Sequence, residues 1–200
     1  MALPAKFKAG QILKHIEISN SRHFIVVIYD LLFEPVDCIV NAANGGLSHG
    51  GGIAAQISIA AGEALEIEGS EYVKKKGMIP TGEAVVTSAG KLPFKGVIHA
   101  VGPSIGMGNE LELLVSAVYN SLLRAHERGW SSISFPAISS GIFAVPKEIC
   151  SKGYVLGVIK FMQEFPDSNL KVARLCMHQS PLVEFVIKEI DKRISVFIEL

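Results

Sequence analysis

Five glycines crowd the eight positions from Gly45 to Gly52, between an apolar strand that begins at Cys38 and a helix that ends near Ala61. Glycine loses more backbone entropy on folding than other residues, so such a cluster indicates close backbone approach or positive φ angles. The N–H groups of a glycine loop and of a first helical turn point at one place, where the helix dipole favours negative charge. The segment therefore predicts a phosphate-binding loop, with a merely flexible loop as the alternative.

Two common nucleotide-binding motifs do not fit this loop. A P-loop needs Gly-Lys followed by Ser or Thr after the glycines, and no such run is present. Gly50, Gly52 and Ala55 form a loose Gly-x-Gly-x-x-Ala, but the preceding strand ends too early for a tight turn. Tyr72 also stands where a dinucleotide-binding fold places an acidic residue. The sequence disfavours P-loop hydrolysis and a Rossmann domain.

Apolar strands alternate with helices along most of the chain. Examples are Phe24–Tyr29, which follows a predicted turn at Asn20-Ser21, and Ser132–Phe135, which follows the amphipathic segment 109–128. Asn109 with Glu112 resembles a capping box at the start of that segment. Strands that alternate with helices predict right-handed crossovers and a largely parallel sheet covered on both faces. We therefore predict one α/β domain over residues 1–200.

Four polar or glycine-rich features follow predicted strands directly: Asp30, Asn41–Gly52, Ser139–Phe143 and Met177-His178. Ligands of open α/β sheets bind where the carboxyl ends of the strands meet their loops. The four features therefore predict one common site. Asp30 taken alone is either the cap of a turn or helix or a ligand acceptor at the sheet edge.

The second loop, Ser139–Phe143, repeats the chemistry of the first. Its small residues leave several backbone N–H groups open, Gly141 permits a sharp turn, and Phe143 is placed to cover a sugar. Two such cradles suit a diphosphate. Ser139 or Ser140 as a hydrolase nucleophile is the alternative, although the Gly-x-Ser-x-Gly elbow is absent.

Composition narrows the partners and the compartment. Lys plus Arg and Asp plus Glu both number 19, so a formal net charge of zero disfavours nucleic acid or an anionic membrane as a partner. Three dispersed cysteines without Cys-x-x-Cys spacing predict buried thiols in a reducing compartment. No stretch approaches the roughly 18 apolar residues of a membrane helix. We expect a cytoplasmic or nuclear protein that needs no metal and no cofactor.

Four ordered motifs resemble the macrodomain family of ADP-ribose binders: Val40–Asn44, His49–Ala54, Ile98–Pro103 and Pro136–Phe143. The similarity runs from about Phe24 to Ile194, and within the family it is strongest to macrodomains of vertebrate macro-domain ADP-ribosyltransferases. The resemblance implies a three-layer α/β/α domain with a mixed, mostly parallel sheet. It also implies a cleft for ADP-ribose across the strand ends.

The resemblance assigns roles to individual residues. Asp30 would accept a hydrogen bond from the adenine amino group, Leu31 would line the adenine pocket, and Asn44 would contact the distal ribose. The position that often stacks on adenine falls near Met177 and His178. The phosphates and the distal ribose would lie among two sets of loop residues: Gly50, Gly51, Gly52 and Ile53, and Ser139, Ser140, Gly141, Ile142 and Phe143. His99, in contrast, would be a structural core histidine.

The resemblance implies two related functions. The first is a reader that binds ADP-ribose and mono-ADP-ribosylated proteins, as a monomeric domain of a larger multidomain protein. The second is a hydrolase that removes ADP-ribose from modified carboxylate side chains. Cellular-type hydrolases carry an aspartate where this chain has Ala54, whereas viral-type and some transferase-linked members use residues matching Asn44, His49 and Phe143. Those three are the candidate catalytic residues. Ala144 departs from the family by replacing a common glycine after the aromatic.

Overall fold

The computed structural model describes residues 3–18 and 21–200, which are built around a seven-stranded sheet. The strands are β1 (Gln11–Ile18), β2 (Arg22–Ile28), β3 (Cys38–Ala43), β4 (Ala84–Thr87), β5 (Gly96–Val101), β6 (Ser132–Phe135) and β7 (Val172–Met177). They lie in the order β1-β2-β7-β6-β3-β5-β4. The edge strands β1 and β4 are antiparallel to their neighbours, while the inner strands are parallel to one another. The predicted mixed, mostly parallel sheet is confirmed.

Helices cover both faces of this sheet. They are α1 (Gly52–Ala61), α2 (Glu63–Lys76), α3 (Glu110–Glu127), α4 (Lys147–Glu164), α5 (Leu182–Lys192) and α6 (Ile194–Glu199), with short 3-10 helices at Ala5–Lys8 and Leu31–Phe33. Successive side chains of a strand point to opposite faces. In β2, Phe24 and Val26 therefore join a core with α3 to α6, whereas Ile25 and Val27 join a second core with α1 and α2. The predicted three-layer α/β/α arrangement is confirmed.

Of two local features predicted from the sequence, one is wrong and the other lies partly outside the described residues. The capping box is wrong, because Asn109 adopts a left-handed conformation with φ of 55° and its side chain makes no cap bond. The carboxylate of Glu110 instead accepts a hydrogen bond of 2.7 Å from the N–H of Gly106, so the first turn of α3 is fastened to the preceding loop. The predicted turn at Asn20-Ser21 falls partly outside the described residues, since Asn20 is not among them.

A buried ion pair fixes the segment that follows β2. Arg174 on β7 bonds both carboxylate oxygens of Glu34, at 2.6 Å and 2.9 Å, and both side chains are fully buried. The guanidinium also donates to the carbonyl oxygens of Phe7 and Ala9, at 2.6 Å and 3.0 Å. A bidentate pair with its remaining donors satisfied holds its partners in one geometry. Arg174 thereby ties the 3-10 helix at Leu31–Phe33 and the N-terminal segment to the sheet.

The topology brings the carboxyl ends of β2, β3, β6 and β7 to the same edge of the sheet. The loops that carry the predicted site residues therefore meet there. Within residues 3–18 and 21–200, no helix is long and apolar enough to cross a bilayer, and no group of His, Cys, Asp and Glu side chains is arranged to hold a metal ion.

Candidate ligand-binding site

A cleft of about 600 Å³ opens along this edge of the sheet. Its volume lies within the range of about 300–1,000 Å³ that small-molecule sites occupy. The lining residues come from the ends of five strands, from the two predicted loops and from the start of α1: Tyr29, Leu31, Ala42, Ala43, Asn44, Ser48, Gly50, Gly51, Gly52, Ile53, Ala54, Gln56, Gly102, Pro136, Ala137, Ile138, Ser139, Ser140, Gly141, Ile142, Phe143, Cys176, Met177 and His178. None of these is Asp, Glu, Lys or Arg.

The cleft assembles nearly all the residues that the sequence predicts for it. Leu31, Asn44, Met177, Gly50 to Ile53 and Ser139 to Phe143 line it together. Asp30 and His49 do not belong to the lining. Asp30 makes a capping contact, which is one of the two roles that the sequence left open, and His49 contacts Asn41 and His99.

Asp30 caps the 3-10 helix at Leu31–Phe33. Its Oδ1 accepts a hydrogen bond of 2.9 Å from the N–H of Leu32. Of the two roles left open by the sequence, the structure thus shows the cap. A carboxylate retains acceptor capacity beyond one such bond, and Asp30 stands between Tyr29 and Leu31, which both line the cleft.

The first loop is closed by the side chain of Asn44. Its Nδ2 donates to the carbonyl oxygen and to Oγ of Ser48, both at 2.9 Å, and its Oδ1 accepts from the N–H of Ser48 at 3.1 Å. After this loop, the N-cap residue of α1 is Gly51, which has no side chain that could bond the free N–H groups of the first turn, and Gly52 has φ of +57°. The first N–H groups of a helix have no intrahelical acceptor. The loop and the start of α1 therefore present donors to the cleft.

The second loop follows β6 and is also closed by its own hydrogen bonds. The N–H of Val145 donates to the carbonyl of Ser139 at 3.0 Å, and the N–H of Ala144 donates to that of Gly141 at 2.9 Å. Ser139 and Ala144 have φ of 66° and 51°, so Ala144 adopts the left-handed conformation that its usual glycine would favour. Within the described chain, the N–H groups of Gly141, Ile142 and Phe143 donate to no protein acceptor. They form the second cradle.

The two loops approach each other closely at Gly51 and Ile142. A Cβ on Gly51 would lie 3.4 Å from Cδ1 of Ile142, so the absence of a side chain at Gly51 leaves the gap between the loops open. A Cβ on Gly102 would lie 2.2 Å from Oγ of Ser139, which shows how tightly the end of β5 packs beneath the second loop.

The serine-nucleophile alternative finds no support in the geometry of the second loop. The hydroxyl of Ser139 is buried and bonds to no partner in the described residues, and that of Ser140 donates to the carbonyl of Ala137 at 2.7 Å. A nucleophilic serine needs a base within hydrogen-bond reach.

His49 joins a buried polar network instead of the cleft. Oγ1 of Thr87 donates to the carbonyl of Ser88, so it accepts from Nε2 of His99 at 2.8 Å. Nδ1 of His99 then accepts from Nδ2 of Asn41 at 3.1 Å. The same amide reaches Nδ1 of His49 at 3.4 Å, and the two imidazole rings stack with centroids 5.5 Å apart.

The environment keeps both imidazoles neutral. Burial, reinforced by the neighbouring His49, lowers the pKa of His99 to about 3. Burial also lowers the pKa of His49, against the opposing charge of Glu66. The predicted structural role of His99 agrees with this position, since the residue is fully buried. Sequence reasoning missed Asn41 and Thr87 as its partners, because they lie on other strands.

Several lining residues were also missed. Tyr29 and Cys176 lie at the ends of their strands beside predicted residues, so strand-end position was an available signal for both. Ser48 lies within the predicted segment Asn41–Gly52 but had no individual role assigned to it. Gln56 lies in the first turns of α1 and carries no sequence signal that separates it from an ordinary exposed helix residue.

The amino-acid sequence is similar to a known family and to several known proteins. The model of the Macro domain matches residues 40–153. An uncharacterised protein of Thermotoga maritima is 47% identical over 169 residues, a match that covers 84% of this chain and 28% of that protein. The human protein mono-ADP-ribosyltransferase PARP14 is 39% identical over 166 residues, covering 81% of this chain and 9% of PARP14. The chain thus spans only a small part of either relative.

Solved structures give the same result. The Oceanobacillus iheyensis macrodomain with ADP superposes with a TM-score of 0.83 at 30% identity, covering 91% of this chain and 96% of that one. The Trypanosoma brucei macrodomain in complex with ADP-ribose superposes with a TM-score of 0.72 at 26% identity, covering 85% and 71%. The family model alone spans more than half of the chain. Sequence, fold and cleft therefore agree that this chain belongs to the macro domain family.

Proposed function

We propose that this chain binds ADP-ribose in the cleft between its two loops. The observation that carries the proposal is the pair of open N–H cradles, at the start of α1 and at Gly141 to Phe143, facing a gap that no charged side chain fills. Each cradle accommodates one phosphate through backbone dipoles. The O. iheyensis and T. brucei macrodomains with ADP and ADP-ribose support this choice of ligand.

The ends of the cleft differ in character, which orients the ligand. Leu31, Cys176 and Met177 form an apolar end suited to a purine ring. Asp30, beside Leu31, accepts a hydrogen bond from the adenine amino group. At the other end, Asn44 and Phe143 flank the distal ribose, whose anomeric carbon would carry a modified protein.

The distal end leads to the proposed biological role. The chain acts as a reader of mono-ADP-ribosylated proteins, as a monomeric domain of a larger multidomain protein in the cytoplasm or nucleus. The match to human PARP14 covers only 9% of that protein, which supports the proposal that this domain belongs to a larger multidomain protein.

Hydrolysis of an ADP-ribosyl carboxylate ester is the second candidate. It is favoured by the presence of Asn44 and Phe143 together in the cleft lining. Such a reaction requires a water held against the anomeric carbon and donors for the developing charge. Against it, Ala54 supplies no acid or base, and the imidazole of His49 is engaged with Asn41 and His99. Binding without turnover is therefore the preferred function.

Two measurements separate these functions. Calorimetric titration with ADP-ribose should give a saturable heat and a thermal shift; no heat and no shift at millimolar ligand would refute binding. The protein is then incubated with a substrate labelled on a mono-ADP-ribosylated carboxylate. Stable retention of the label supports the reader. Release that Asn44→Ala or His49→Ala abolishes, with ADP-ribose binding retained, would establish the hydrolase.

A further inference from the structure

Three large apolar side chains stand exposed beside the distal end of the cleft. Ile105, Met107 and Ile142 are 58%, 54% and 81% exposed. We call these three residues the apolar rim. Single exposed apolar residues are common on protein surfaces, but several on adjoining loops next to a binding site indicate a contact surface.

Backbone contacts fix the rim at this end of the cleft. Ile105 donates its N–H to the carbonyl of Phe143 at 2.9 Å, which joins the β5–α3 loop (residues 102–109) to the second loop. The close approach of Gly102 to Ser139 and the bond from Gly106 to Glu110 fasten that loop at both ends. The rim is therefore held next to Phe143, at the opposite end from Leu31 and Met177.

The loops around the rim contain few charged side chains, and the one that contacts the rim's own loop is Glu110, whose carboxylate accepts a hydrogen bond from the N–H of Gly106. Although 19% of the chain is Asp, Glu, Lys or Arg, none of these residues occurs in segments 38–62, 96–109 and 131–146, which form the loops around the distal end. Apart from Glu110, a polypeptide leaving this end would meet apolar side chains and neutral backbone. Such a surface favours apolar partners, and the single carboxylate of Glu110 is already bonded to the backbone of its own loop.

We propose that the apolar rim binds the polypeptide that carries the ADP-ribose, and that it selects targets with apolar residues next to the modified side chain. This inference rests on the proposed binding of ADP-ribose in the cleft, because the cleft places the anomeric carbon beside the rim. The rim adds affinity by burying apolar surface that free ADP-ribose leaves exposed.

The test compares three probes on the full chain. They are free ADP-ribose and two short peptides, each with one ADP-ribosyl group on a glutamine side chain through a hydrolysis-resistant amide. One peptide has leucine and valine beside the modified residue, and the other has lysine and glutamate. We expect the apolar peptide to bind about 5- to 30-fold more tightly than free ADP-ribose, after the loss from ordering the peptide.

Variants assign the effect to the rim. The double variant Ile105→Ser/Met107→Ser should bind free ADP-ribose normally but lose the preference for the apolar peptide. Ile59→Ser, at a site 83% exposed on α1 and outside the cleft lining, is the matched control and should retain the preference. Thermal melting of each variant checks that the fold is intact.

The outcomes distinguish this inference from the proposed function. If ADP-ribose does not bind at all, the proposed function fails and the rim inference fails with it. If ADP-ribose binds but both peptides bind no better than it, or the charged peptide binds better, the rim inference alone is overturned. The same holds if the double variant keeps the preference.

Discussion

Replacing Asp30 by Asn and by Ala separates its two roles, the cap seen in the structure and the proposed contact with adenine. Oδ1 of Asp30 accepts from the N–H of Leu32 at 2.9 Å. In Asp30→Asn the amide oxygen can keep this bond, which turns the amide NH₂ group towards the position of the second carboxylate oxygen. The NH₂ group of the amide would then face the adenine amino group, and the two cannot bond to each other because both are hydrogen-bond donors. In Asp30→Ala both interactions disappear.

The expected magnitudes follow from this geometry. A hydrogen bond to a charged group contributes about 1.5–3 kcal/mol, so both variants should bind ADP-ribose roughly 10- to 100-fold more weakly. Loss of a cap costs about 1 kcal/mol, which lowers the melting temperature of a chain of this size by roughly 2–4 °C. Only Asp30→Ala should show that second effect.

Calorimetry with two ligands makes the test sharper. ADP-ribose presents an amino group at the purine 6-position, whereas its inosine analogue presents a carbonyl oxygen. The wild-type carboxylate should prefer ADP-ribose, and the NH₂ group of Asp30→Asn should shift the preference towards the inosine analogue. Unchanged ADP-ribose affinity in both variants would refute the adenine contact. Weakened binding in Asp30→Ala alone would show that Asp30 acts only by holding the 3-10 helix.

Three further predictions address the cleft and its surroundings. Because none of the described residues that line the cleft is Asp, Glu, Lys or Arg, ADP-ribose affinity measured by calorimetry should change less than about threefold between low and high salt; a steep decline would show that a charged side chain binds the phosphates. Gly102→Ala should weaken ADP-ribose binding and destabilise the fold by about 1–3 kcal/mol, since its Cβ would lie 2.2 Å from Oγ of Ser139. The control Gly69→Ala, whose Cβ meets its nearest atom at 3.4 Å, should not weaken binding. Burial lowers the pKa of His99 from 6.5 to about 3, so the unfolded state takes up a proton before the native state does. In urea unfolding, the contribution of His99 to the free energy of unfolding should therefore be fully present above pH 6.5 and should fall by about 1.4 kcal/mol per pH unit as the pH decreases towards 3. A pKa of His99 near 6 in an NMR titration would contradict this.

Local sequence signals predicted most of the fold and most of the cleft. Helix α1 begins at Gly52 and ends at Ala61 as expected, and the loops at Gly50 and Ser139 meet at one edge of the sheet. These features depend on neighbouring residues, on glycine conformations and on the rule that places ligands at strand ends. Each of them is visible within a short stretch of chain.

The features that the sequence did not reveal depend on residues far apart in the chain. Glu34 and Arg174 form the buried pair that fixes one end of the cleft, although about two thirds of the chain separates them. The orientation of His49 depends on Asn41 and His99, which lie on adjacent strands and so meet only once the sheet has formed. A polar residue on a glycine loop gives no sign of which side of the loop its ring will occupy.

Hydrogen bonds within the protein hold both loops of the cleft in shape. Asn44 closes the first loop through Ser48, and the hydroxyl of buried Tyr154 holds the second by donating to the carbonyl of Ile138 at 2.6 Å. Because these bonds fix the backbone of both loops, we expect a ligand of the cleft to bind with little entropic cost from ordering them. Backbone N–H donors with no charged side chain beside them distinguish ligands by the positions of their acceptor atoms more than by their charge. Because a single phosphate would fill only one cradle while a diphosphate would span both, we expect the arrangement to favour a diphosphate over a single phosphate.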